Sequence, residues 1–192
     1  MNETLAILEQ VREHYLTKYY GVLTEFLKHN QPSSPEVLFE LSRPECPYAF
    51  RLYRVDMASN VDGQPKLVEA NPDTHLAFRP FNENSAIGLL LSIRPVAWNG
   101  IEFRCEGGRI DMLALEQWCI KWLDIDEASP KSEMGLLGAI HSVTAPESQD
   151  DASFFSVDFG SAPLQSVVEL LELLKQSGVT QVALSSSMLG DI

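Results

Sequence analysis

Basic side chains are scarce in this chain: 14 Lys and Arg stand against 27 Asp and Glu, a formal charge of −13 over 192 residues. Affinity for nucleic acid comes largely from neutralising phosphates, so a nucleic-acid binder is excluded, and so is attraction to an anionic membrane surface. Cysteine is scarce too. Cys46, Cys105 and Cys119 are odd in number and form no CxxC pair, which signals neither a zinc cage nor a redox motif and fits a reducing cytosol. Long apolar runs are missing. The most apolar stretch, residues 86–93, falls well short of the roughly 20 residues of a membrane span. Met1 to Leu5 lacks the basic opening of a secretory signal. A soluble, cytoplasmic protein without metal or cofactor is the expectation.

What is present suits a folded globule: 45% hydrophobic and 21% charged residues. A chain of this length buries roughly 70% of its unfolded surface, so no cross-link is needed. The expectation is a single compact domain over 1–192. Within it, 1–100 would hold a helix and a β-meander, 101–186 a second unit, and 187–192 a tail. Charge is graded: net −1 over residues 1–31, −3 over 32–107 and −9 over 108–192, while six of the eight arginines lie between Arg43 and Arg104.

Leu5, Leu8, Val11, Tyr15, Tyr19, Leu23 and Phe26 recur at helical spacing, predicting a helix over 3–29 that stops at the Pro32–Pro35 loop. Short β-like runs follow at 37–41, 48–57, 67–70 and 75–81, the last two flanking the Asn71-Pro72-Asp73-Thr74 turn. Asn99-Gly100 predicts a hairpin joining 87–98 to 101–106. Its alternation stays in phase only with a bulge or break at Arg94-Pro95. Asp111 caps a helix through Leu123, 135–143 reads as a strand, and 144–152 as an acidic loop. Residues 153–159 alternate as a strand, Ser161 caps a helix ending at Gly178, and 179–185 forms the last strand.

The class is therefore α+β: a mostly antiparallel sheet packed with three helices, with a ferredoxin-like βαββαβ order in 101–186. Helix, several strands, helix, two strands, helix also resembles the element order of small acidic dimeric secretion chaperones. That resemblance implies a homodimer.

Candidate sites are few. Glu69, Asp73 and His75 have the chemistry of a metal or acid–base site, but an ideal hairpin sends Glu69 and His75 to opposite faces. Gly107-Gly108-Arg109, between a strand and a helix, offers backbone amides and a cation to an anion. Paired glycines there are more often turn chemistry. Arg79 and Arg94, each before a proline, could line an anion pocket, competing with a reading as solvated rim charges. His14, His29 and His141 read as structural. A hydrolase built on His141 would need a serine such as Ser142 or Ser153 in reach. Cys105 and Cys119 read as inert core thiols, and Glu45 opposes thiolate formation at Cys46. Asp158-Phe159-Gly160 lacks the motifs that accompany the kinase tripeptide.

Two functions follow as expectations. The first is a non-enzymatic interaction module, adaptor or chaperone-like, whose acidic surface meets a basic protein partner. The alternative is a small-molecule enzyme or sensor holding an anionic ligand over the sheet with Arg79, Arg94, His75 and the Gly107–Arg109 turn.

Overall fold

A computed structural model describes residues 2–42, 47–61, 64–70 and 76–186. The helical spacing at the N-terminus yields α1 (Asn2–His29), whose Leu8, Val11, Tyr15, Tyr19 and Leu23 are fully buried along one stripe. Then come β1 (Ser33–Glu40), β2 (Tyr48–Val61), β3 (Gln64–Val68), β4 (Phe81–Asn84), β5 (Leu90–Ile93) and β6 (Ile101–Glu106). The second half runs α2 (Met112–Trp122), β7 (Ser142–Thr144), β8 (Glu147–Gln149), β9 (Ala152–Asp158), α3 (Gln165–Gln176) and β10 (Gln181–Ser185). The α+β class holds: three helices pack with one ten-stranded, mostly antiparallel sheet in the order β1-β2-β7-β9-β6-β10-β5-β4, with β3 added to β2 and β8 to β9. The strands of 101–186 are thus part of a continuous sheet, in which β6 lies antiparallel to β10.

Alternation decides the two faces. Ile101, Phe103 and Cys105 of β6, Phe155 and Val157 of β9, Val182 and Leu184 of β10, and Leu91 and Ile93 of β5 are all buried in one core with Leu115, Trp118 and Cys119 of α2 and Leu170, Leu171 and Leu174 of α3. Burial pushes the Cys105 and Cys119 thiols up to about 12, as inert core cysteines require. The Asp111 carboxylate caps α2 by accepting from the Leu113 and Ala114 amides at 3.0 and 3.1 Å.

Several local expectations fail, each for a tertiary reason. Asn99-Gly100 makes no hairpin. Trp98–Gly100 is a single 3-10 turn, and β10 inserts between β5 and β6, pairing parallel with the first and antiparallel with the second. The break expected at Arg94-Pro95 is present, since β5 ends at Ile93, but it corrects no hairpin phase because β5 and β6 are not paired. Residues 76–80 carry no strand, and β4 pairs with β5 instead of forming a hairpin with 67–70. Of 135–143 only the last two residues enter β7, while the acidic loop contains β8, hydrogen-bonded to β9. Ser161 does not cap α3; its hydroxyl accepts from the Gly138 amide at 3.0 Å. The turn at 71–74, His75, Cys46 and the tail 187–192 lie outside the described residues.

Glycine is demanded at the α2 entry. A Cβ on Gly108 would sit 2.3 Å from the Gly178 carbonyl carbon, and one on Gly107, at φ +86°, would sit 2.1 Å from Thr180 Oγ1. Gly108→Ala should cost about 2 kcal/mol by forcing the 178–180 turn away. That corresponds to a melting temperature lowered by roughly 4–8 °C, and an unchanged melt would show that the backbones can part cheaply.

Candidate functional site

The sheet face opposite the core forms an open trough of about 950 Å³ lined by strand and loop residues and by no helix residue. Register builds it. One row crosses six strands as Glu147, Phe154, Arg104, Ala183, Ser92 and Asn82. The next row runs Ser156, Glu102 and Ser185, with Arg94 just beyond β5 at that end. A third runs Glu106, Gln181 and Leu90. Ala183, Ser92 and Ser185 are short and make the floor. Phe154 and Leu90 stand on it, 36% and 39% exposed.

Charge on this face is polarised. Arg104 is spent internally, bonded to Glu106 at 2.6 Å and lying over the Phe154 ring at 5.9 Å. Glu102 and Glu147 line the β6–β9–β8 side, and Asp150 and Asp151 form the exposed turn between β8 and β9. Arg94, exposed at the β5 side, has no ion pair among the described residues.

The sequence candidates do not converge here. Arg94 lines the trough. Arg79 is exposed in the segment leading into β4 and does not line it. Gly107, Gly108 and Arg109 sit at the far end of β6 and do not line the trough, and the first amides of α2 beside them, Leu113 and Ala114, already bond Asp111. His75 lies outside the described residues.

A second cluster is buried. His141, immediately before β7, is 1% exposed and held between strands. Its Nε2 meets Glu36 Oε1 of β1 at 3.1 Å, its Nδ1 meets Asp56 Oδ1 of β2 at 2.9 Å, and Asp158 Oδ2 of β9 stands 4.0 Å from Nδ1. The Asp56 approach lies off the N–H axis, so it acts as an ion contact without a well-aligned hydrogen bond. Burial alone would push the imidazole pKa down. The Asp56 and Glu36 carboxylates push it up and win, so the ring is an imidazolium at neutral pH.

Local backbone serves this geometry. Glu36 has φ +49° inside a strand, a left-handed conformation that a non-glycine residue adopts at a cost. Its carboxylate also accepts from the Leu137 amide. Gly160 lies against the ring, where a Cβ would come within 2.2 Å of His141 Cδ2. Asp158 Oδ1 accepts from the Gly160 amide at 2.9 Å. Burial, with Asp56 nearby, raises Asp158 to about 7. Glu69, just past β3, is also raised to about 7, by burial of its carboxyl and by Asp56. From α1, Tyr19 stands edge-on to the imidazole at 6.1 Å and donates to the Asp56 carbonyl at 3.2 Å. Tyr15, stacked on it, has a buried hydroxyl without a hydrogen-bond partner among the described residues and a raised pKa, through burial first and Asp158 second.

Both ring nitrogens of His141 thus face carboxylates. Neither is free to take a proton from a substrate, and neither Ser142 nor Ser153 bonds the ring. No group of His, Cys, Asp and Glu among the described residues is arranged to hold a metal ion. No family model, curated protein or solved structure matches the chain. Among the described residues no helix is long and apolar enough to cross a membrane.

Proposed function

We propose that the protein is a non-catalytic interaction module that works through the trough, and that its partner presents a basic, partly apolar segment there. The observation that carries this is the register of the open face: a floor of short side chains, two exposed apolar side chains, and an acidic flank of Glu102, Glu147, Asp150 and Asp151. Such a flank steers a basic partner and raises its on-rate, while Phe154 and Leu90 supply contact area. The trough has room for one segment laid along β10 and β5. Cytoplasmic placement belongs to this proposal. So does a homodimer, in which Arg94 of one copy would meet the acidic flank of the other.

A short amphipathic Lys/Leu peptide tests the reading. Its binding should weaken at least tenfold between about 50 and about 500 mM salt, and should shift the amides of 92, 102–106, 147–156 and 183–185 in a heteronuclear spectrum. Ala183→Trp, which fills the floor, should abolish binding with the fold intact. Shifts confined to other surfaces would sink the proposal.

Arg94 supports a second reading, an anionic small molecule on the same floor with Ser185 and Asn82 beside it. Phosphates, nucleotides and carboxylates that bind only the native state would raise its melting temperature, and Arg94→Ala would cancel the rise.

A further inference from the structure

The buried cluster does no work in that reading, yet it gathers titratable groups from five parts of the fold around His141. The groups facing His141 are Glu36 from β1, Asp56 from β2, Asp158 from β9, Glu69 from the segment after β3, and Tyr15 and Tyr19 from α1. The buried cation of β2, Arg54, is taken up by backbone carbonyls of Glu36, Leu123 and Asp124, with Glu127 Oε1 3.9 Å away. Three carboxyl groups therefore stand within 4.0 Å of a single imidazolium. Charge is expensive to leave unbalanced out of water, and three ionised carboxylates would outnumber the one imidazolium, so the cluster approaches neutrality only while carboxyls keep protons.

We propose that the His141 cluster is a proton-operated latch, which fastens α1 and β1–β3 to β9 when protonated and loosens that seam when it loses its proton. Asp158 is the moving part of the charge balance. Its carboxyl faces the ring, it is a quarter exposed and so in reach of solvent protons, and it is raised to about 7 by burial and by Asp56. Glu69 is an exposed residue whose carboxyl is partly buried beside Asp56, and it is raised to the same range. Folded-state values raised above the unfolded ones mean that the folded seam binds more protons. Its stabilisation is fully present below the ordinary carboxylate range and is lost as pH rises through about 7. The strand that carries Asp158 also carries Phe154 and Ser156 to the trough, so a loosened seam reaches the proposed binding surface.

Hydrogen exchange of the whole chain tests the latch. After correction for intrinsic base catalysis, the amides of Arg54 and His141, which bond His141 O and Asp158 O across the seam, should open about tenfold more often at pH 8 than at pH 6 for one linked proton. Amides of β10, such as Val182, should open less often than those of the seam at both pH values, since they open only with the whole fold. Asp158→Asn keeps the shape and removes the carboxyl nearest the ring that titrates in this range, and should remove most of the dependence. Glu69→Gln, at an exposed position, should reduce it in part and covers the case in which Asp158→Asn fails to fold. Equal protection of the seam at both pH values, or the full wild-type dependence persisting in both variants, would overturn the latch. Either result leaves peptide binding to the trough as a separate question.

Discussion

Replacing His141 with alanine should destabilise the protein by about 3–5 kcal/mol at pH 7.5, the usual cost of removing one partner from a buried ion pair. The ring is 1% exposed and is the positive centre for Glu36, Asp56 and Asp158. Its loss leaves those carboxyls facing one another in a cavity. For a chain of this size that is a fall in melting temperature of roughly 6–20 °C. The deficit should shrink on acidification. Without the imidazolium, which holds the Asp158 carboxyl down, that group would keep its proton still more strongly in the folded state, so stability returns as pH falls toward 5. Neutralising the acids should also rescue it: His141→Leu with Glu36→Gln and Asp56→Asn should be more stable than His141→Ala, a coupling read directly from denaturant midpoints. A His141→Ala variant that melts like the wild type across this pH range would show that the carboxyls are balanced without the ring.

The wild type carries the converse signature. Asp158 at about 7 in the folded state, against an ordinary aspartate value, makes the native protein more stable at pH 6 than at pH 8. One such group contributes about 1.4 kcal/mol over that interval. The raised His141 acts in the same direction, since the unfolded imidazole deprotonates near its ordinary value while the folded one keeps its proton.

How much of this was legible in the residues differs between levels. The helices were legible because α1 and α2 each carry a stripe of consistent period, and Asp111 has the chemistry of a cap. The core thiols followed from Cys105 and Cys119 falling on apolar faces. The hairpin at Asn99-Gly100 misled because turn chemistry is local, whereas the position of β10 between β5 and β6 is set by a strand 80 residues on. The trough was half visible: alternation in 101–106 marks Glu102, Arg104 and Glu106 as the outer face, but which strands flank them is a matter of topology. The cluster was hidden. Arg54 and Asp56 occupy alternate positions of β2, a pattern that reads as a solvated face. That face is covered by the irregular connection after α2, where Leu123, Asp124 and Leu137 contribute backbone partners. Asp158-Phe159-Gly160 looked like a coincidence, yet it supplies an acid to His141, a core ring, and the one residue small enough to lie against the imidazole.

Arg54→Met should cost about as much as the loss of His141, by a different route. The Arg54 side chain is fully buried. Its Nε donates to the Leu123 carbonyl at 2.6 Å, one guanidinium nitrogen to Asp124 O at 2.6 Å, and the other to Glu36 O. Leu123 caps the C-terminus of α2 and Asp124 follows it, where the last carbonyls lack helical partners and the dipole favours a cation. Burial lowers the guanidinium pKa from its ordinary value while Glu36 raises it, and such a group stays charged. Methionine fills much of the volume but leaves the buried Leu123 and Glu36 carbonyls unpaired at about 1–3 kcal/mol each, while Asp124 O keeps only the Glu127 amide at 2.9 Å, for a net loss of about 3–5 kcal/mol. Lysine keeps the charge but cannot reach three diverging carbonyls from one point, so Arg54→Lys should fall between the two. Because Arg54 joins β2 to the end of α2 and to the backbone of Glu36, its loss should also free Glu36 to leave its left-handed conformation. Exchange of the Leu137 amide, which bonds the Glu36 carboxylate, should then rise in Arg54→Met well before global unfolding. Protection of Leu137 that stays at the wild-type level would mean that Glu36 is held by His141 alone.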